Sequence, residues 1–150
     1  MMPSIVFEAI AGDSQMNSLG IDGTRIFELQ SIENDERPFN TGYALVVDWQ
    51  ESTLYSQTYA GLANGIPKAP RVMQVWVHVL WDESREYRPL DRILNRVDDI
   101  LLPMEQAIGT DGVRVTVIRP AGRSRNLTDP AWKTITRNAT YGVLYDERAA

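Results

Sequence analysis

The run Arg71-Val72-Met73-Gln74-Val75-Trp76-Val77-His78-Val79-Leu80-Trp81 constrains the fold more than any other part of the chain. Met73, Val75, Val77, Val79 and Trp81 alternate along it, so a two-residue period puts five large apolar side chains on one face of a strand. Its other face, Val72, Gln74, Trp76, His78 and Leu80, is mixed rather than polar. A mixed face is one that a helix, another sheet or a neighbouring subunit covers.

The next segment has a helical period. After Asp82-Glu83-Ser84-Arg85-Glu86-Tyr87, with Ser84 as the expected N-cap and Pro89 suited to the first turn, Leu90, Ile93, Leu94, Val97, Ile100, Leu101 and Met104 step by three and four. Arg88, Asp91, Arg92, Arg96, Asp98 and Asp99 fall largely off that stripe. The spacing predicts an amphipathic helix over about 87–104 that lies on the sheet, ended or kinked by Pro103.

Upstream, Pro3 and the spacing of Ile5, Val6, Ala9, Ile10 and Met16 predict a short N-terminal helix, weakened at Gly12 and Asp13. A turn at 20–23 leads to a strand over 25–32, and the polar segment 34–40 is a loop. Tyr43, Leu45, Val47 and Trp49 alternate as the next strand. Residues 51–70 have no period and make a long connection, read either as a functional loop or as cover for a sheet edge. Downstream, Val113, Val115 and Val117 mark a strand that Pro120 halts. A polar loop over 121–130 precedes a last strand from about 132 to 145, with Ile135, Ala139, Tyr141, Val143 and Tyr145 on its apolar face.

These elements make one domain over 1–150, because 150 residues at 43% hydrophobic suffice for one core and are short for two. Two helical segments are too few to cover both faces of a parallel sheet, so the expected class is α+β with a mostly antiparallel sheet.

Chemistry is sparse. With no cysteine and His78 as the lone histidine, thiolate chemistry, cysteine zinc sites and histidine-rich metal sites are not available within one chain. No G-x-S-x-G, G-x-G-x-x-G or G-x-x-x-x-G-K-[ST] pattern occurs. Neither a catalytic group nor a cofactor is expected. Asp48 or Asp82 with a metal, in a small hydrolase or nuclease, is a separate reading from a different class. Fifteen Lys and Arg against twenty Asp and Glu leave a net charge of -5, the wrong sign for stable wrapping of nucleic acid. No stretch approaches the ~20 apolar residues of a membrane helix, and the start has no basic n-region.

The runs RVMQVWVHVLWDESREYRPLDRILNRVDDIL, GTDGVRVTVI and GRSRNLTDPAWKTITRNATYGVLY together resemble the tail terminators of mycobacteriophage-type siphophages. The likeness covers roughly residues 42–145, and its most particular features are VWVHV with DESREYRPLDRIL and the spacing of Gly122, Ser124, Asp129, Thr134, Arg137 and Tyr141. None is a catalytic motif. The resemblance implies a virion protein of the tail-neck region, assembled in the host cytoplasm. It implies a ring, commonly hexameric, that caps the head-proximal end of the tail tube, with the tube protein and a head-tail connector or head completion protein as partners. DNA would pass through the lumen without sequence-specific binding. Another neck component, itself a head completion or connector protein, is the alternative.

Such a protein acts through surfaces. The residues singled out for interfaces are Tyr55 and Tyr59 in the long connection, Trp76 and His78 on the mixed strand face, Arg119, Arg123, Arg125 and Asp129 around the 121–130 loop, and Arg137. Guanidinium forks suit carboxylates of a neighbouring protein.

Overall fold

A computed structural model describes residues 2–50 and 68–146, the first three of the latter stretch by backbone alone. Among these residues the architecture is α+β: a seven-stranded sheet, antiparallel at every pairing but one, with the α-helices on one side. In chain order the elements are α1 (Ser4–Ala11), α2 (Ser14–Ser18), β1 (Ile26–Glu28), β2 (Ala44–Gln50), β3 (Lys68–Leu80), α3 (Arg88–Leu101), β4 (Glu105–Ile108), β5 (Arg114–Arg123), β6 (Leu127–Asp129) and β7 (Thr134–Asp146). The sheet runs β1-β2-β3-β7-β5-β4, and β6 pairs with the start of β7 on the side that β5 takes further along.

The alternation read from the sequence sorts the two faces. Met73, Val75, Val77 and Val79 are buried with Leu45, Val47 and Trp49 of β2 and with Ile135, Ala139, Tyr141, Val143 and Tyr145 of β7. The α3 stripe, Leu90, Ile93, Leu94, Val97 and Leu101, packs into this core, as do Val6, Ile10 and Met16 of the N-terminal helices. Polar side chains then fix the helices in place. The Arg96 guanidinium meets the Asp13 carboxylate at 2.7 Å, which holds that carboxyl down at about 2. Arg137 pairs with Asp91, and Asp98 receives both Arg123, at 2.6 Å, and the Tyr141 hydroxyl. Burial, with the Asp98 carboxylate beside it, pushes that phenol well above its usual range.

Several boundaries differ from the sequence reading, each for a local reason. The N-terminal helix is two helices, because Asp13 leaves the helix at Gly12 and its carboxylate caps α2 by accepting from the Met16 N–H at 2.8 Å. The strand expected over 25–32 lasts three residues. Beyond Glu28 the chain turns, and the Gln30 side chain donates to Asp48 and to the Trp49 carbonyl where backbone pairing would otherwise continue. Strand β3 begins at Lys68, inside the connection assigned to 51–70; the rest of that connection lies outside the described residues. Ser84 is not the N-cap of α3. The helix starts at Arg88 with Pro89 in its first turn, while the Ser84 hydroxyl accepts from the Glu86 N–H. It stops at Leu101, before Pro103.

Pro120 does not halt β5, which continues to Arg123 with a register shift after the proline. Among the described residues β4 pairs with β5 only as far as Val117, so Pro120 stands where the outer side of the strand is open, a position that tolerates a missing donor. Strand β6 lies inside the segment 121–130 expected to be a loop, and β4 had no expectation. Both are three or four residues long and without sustained apolar alternation.

One glycine is required by close approach. A Cβ on Gly109, in the β4–β5 turn, would stand 2.2 Å from the Ser4 hydroxyl oxygen and 2.5 Å from the Ile5 backbone nitrogen, so α1 docks only because this side chain is absent. Nothing lies within 4 Å of the equivalent atom on Gly142 in β7. In urea denaturation Gly109→Ala is expected to lose about 1–3 kcal/mol, whereas Gly142→Ala is expected to lose nothing or gain up to about 1 kcal/mol. Equal losses for the two would contradict this docking.

Candidate functional site

The face of the sheet that is free of α-helices among the described residues carries a second, smaller apolar cluster made of Phe39, Ala44, Val46 and Trp132, with Phe27, Ile32, Trp76 and Leu80 against it. The register explains how it assembles. Ala44, His78 and Thr136 lie in one cross-strand row, and Val46, Trp76 and Asn138 in the next. Among the described residues only one end of the face is covered, by the segment 32–39 and by the turn after β6. Between these covers runs a slot of about 520 Å³, floored by Val46, Trp76, His78 and Thr136.

The D-P-A-W sequence builds one wall. The Asp129 carboxylate accepts from the backbone N–H groups of Ala131 and Trp132, at 3.1 and 3.2 Å, closing an Asx turn that folds Trp132 back over the sheet. The indole N–H then donates to the Asp35 carbonyl at 2.8 Å, and Arg37 donates to the Trp132 carbonyl. Asn34 and Asp35 reach this position with φ of 55° and 54°, the left-handed region that Asn and Asp tolerate better than most residues. Trp132 meets Phe39 edge-on with centroids 6.0 Å apart and lies 5.1 Å from the His78 ring.

His78 is 5% exposed, and its Nδ1 lies 2.8 Å from the Thr134 hydroxyl oxygen. Burial lowers its pKa to about 4, against a small opposing pull from Asp129, so the ring is neutral at pH 7. Around the slot's rim stand three aspartates: Asp35, Asp48 and Asp129. The Asp48 carboxylate accepts from Gln30 at 2.9 Å and from Gln50 at 2.7 Å.

Of the residues singled out in the sequence, the structure brings Trp76, His78 and Asp129 together in this slot. Arg123 and Arg137 are turned inward instead, binding Asp98 with Asn95 and Asp91 with the Ser124 carbonyl. Arg119 and Arg125 are exposed on β5 and on the loop after it. Tyr55 and Tyr59 lie outside the described residues. Trp132, Asp35 and Leu127 were not singled out; the D-P-A-W Asx turn was the legible signal for Trp132, while nothing local announces Asp35.

Asp48 and Asp82, the alternatives considered for metal chemistry, occupy different places: Asp48 is opposite Gln74, and Asp82 follows the end of β3. Among the described residues no three His, Asp or Glu side chains gather in a way that would hold a metal ion, and no helix is long and apolar enough to cross a membrane.

The fold is shared with a chain of a virion. A solved structure described as the virion of a native gene transfer agent particle contains a chain that superposes with a TM-score of 0.61 at 11% identity, over 93% of this chain and 90% of that one. No protein-family model and no curated protein matches the sequence.

Neutral burial of His78 has a pH signature. The unfolded chain takes up the imidazole proton near pH 6.5 and the folded chain only near 4, so stability is full above about 6.5 and is lost as pH falls towards 4. Between pH 7 and pH 5 the loss is expected to be about 2 kcal/mol, and His78→Gln should remove most of that slope in urea titrations. An unchanged slope in the variant would contradict the assignment.

Proposed function

We propose that this chain is a non-enzymatic structural protein of a phage-like virion, and that it forms a ring capping the head-proximal end of a tail tube, ending tube growth and joining the tail to the head connector. The observation that carries the reading is the fold shared along nearly the whole length of both chains with a chain of a gene transfer agent virion. The sequence runs from VWVHV to ATYGVLY, which resemble tail terminators, supply the finer assignment.

The physical logic is that of a cap. A tube stops growing when its end is covered by a subunit that copies one tube-binding face and lacks the next. A ring of identical subunits needs two different side patches on each copy, joined head to tail with a rotation that closes; six is the number implied by the resemblance. The helix side of this sheet is filled by its own core, so the helix-free face and the strand edges supply the patches. The net charge of -5 suits a channel through which DNA slides without being held, with acidic side chains towards the lumen. The partners on this reading are the tube protein below and a connector or head completion protein above, and the protein resides at the tail neck.

The test is electron microscopy of particles from cells infected by a phage lacking this gene. Overlong, headless tubes beside DNA-filled heads are expected. Tubes of normal length with unjoined or emptied heads would contradict termination and assign the chain to another neck component.

A further inference from the structure

We propose that the slot on the helix-free face receives the Arg119 side chain of a second copy of this chain, so that each subunit inserts an arginine into one neighbour and accepts one from the other. The proposal rests on the ring reading and names its side contact.

Charge and shape select the occupant. Three aspartates rim the slot, and none of its described lining residues is Lys or Arg. An apolar plug would take the half-buried Asp48 and Asp129 out of water with no cation among the described lining residues to offset their charge. A cation is required, and the walls ask for a flat one. Trp76 and Trp132 offer aromatic surface, over which a guanidinium stacks while its N–H fork reaches carboxylates. The acids retain capacity, since each ionised carboxylate has about four lone-pair sites and the described bonds use two on Asp48 and two on Asp129. Among the described residues His78 Nε2 makes no hydrogen bond; in the tautomer whose Nδ1 donates to Thr134, it presents a lone pair to a donor entering the slot.

The sheet register points to Arg119 as the source. It is exposed and lies opposite Gly142, which puts it on the same helix-free face with no side chain beside it on β7. The slot is lined from β2, β3, β6 and the start of β7, and Arg119 lies opposite Gly142, six residues along β7 from Thr136 in the slot floor, about 20 Å at the usual rise per residue. One side chain does not bridge that gap within a subunit. Arg119 also stands beyond Val117, where β4 has ended and, among the described residues, no strand pairs with the outer side of β5. Donor and acceptor therefore sit at opposite ends of one face along β7, two separate patches of the kind a head-to-tail ring needs. Arg125, two residues from the slot's own wall, belongs to the acceptor flank and does not meet this condition.

The absence of native cysteine makes the test direct. Thr128 is exposed and lines the slot, so Arg119→Cys and Thr128→Cys are introduced together, the protein is supplied to a phage lacking the gene, and assembled particles are oxidised mildly. The expected result on a non-reducing gel is a ladder of multiples of the 17.0 kDa chain, absent from either single variant. Arg119→Glu should weaken ring association at least tenfold without moving the thermal midpoint of the isolated protein. Particles that contain the double variant in normal amount but give no ladder would overturn the slot contact and leave the ring reading standing. A cross-link from Thr128→Cys to a different virion protein would overturn it too, assigning the slot to that protein. Normal tails with none of this chain in the particle would overturn both.

Discussion

The pairing of β3 with β7 is the constraint on which the rest depends. It runs from Arg71 opposite Val143 to Leu80 opposite Thr134, joining segments separated by the whole of α3, β4, β5 and β6. Such a contact closes a long loop and is costly until side chains on both strands are buried. Here they are buried on the helix face, where Met73 meets Tyr141 and Val75 meets Ala139. Because the side-chain period is two, a slip of one residue would exchange the faces, putting Trp76 and His78 into the helix-side core and Val75 and Val77 outside it.

That register also explains why two kinds of surface coexist on one sheet. On the helix side, carboxylates of α3 take up Arg123, Arg137 and the Tyr141 hydroxyl, so charges that look available in the sequence are consumed by attachment of the helix. Among the described residues the opposite side has no α-helix. It fills one end with aromatic rings and leaves a slot bounded by acids and by a buried, neutral histidine. In the proposed ring this division assigns stability to one face and assembly to the other.

Much of the fold was legible because its signals are periodic. The alternation at 71–81 and 43–49 and the three-and-four stripe from Leu90 to Leu101 each survive in the structure, as do the α+β class and its largely antiparallel sheet. What was not legible depends on partners distant in sequence. Strand β6 exists because Leu127–Asp129 finds the start of β7, Pro120 is tolerated because β4 has ended, and β1 is short because the Gln30 side chain takes over from backbone pairing. The slot was half visible. Trp76 and His78 were evident on a strand face that is mixed rather than polar, but Asp35 comes from a segment whose turn leaves no period to read.

The central claim is that assembly of a closed ring is carried by the helix-free face and its flanks. Reconstruction of the virion neck by cryo-electron microscopy tests it most directly. The account predicts a ring of this chain around the tail axis, between tube and connector, with the helix-free face of each copy covered by its neighbour. Copies meeting through α1 and α3 with the sheet face open to solvent, or a site away from the neck, would contradict it.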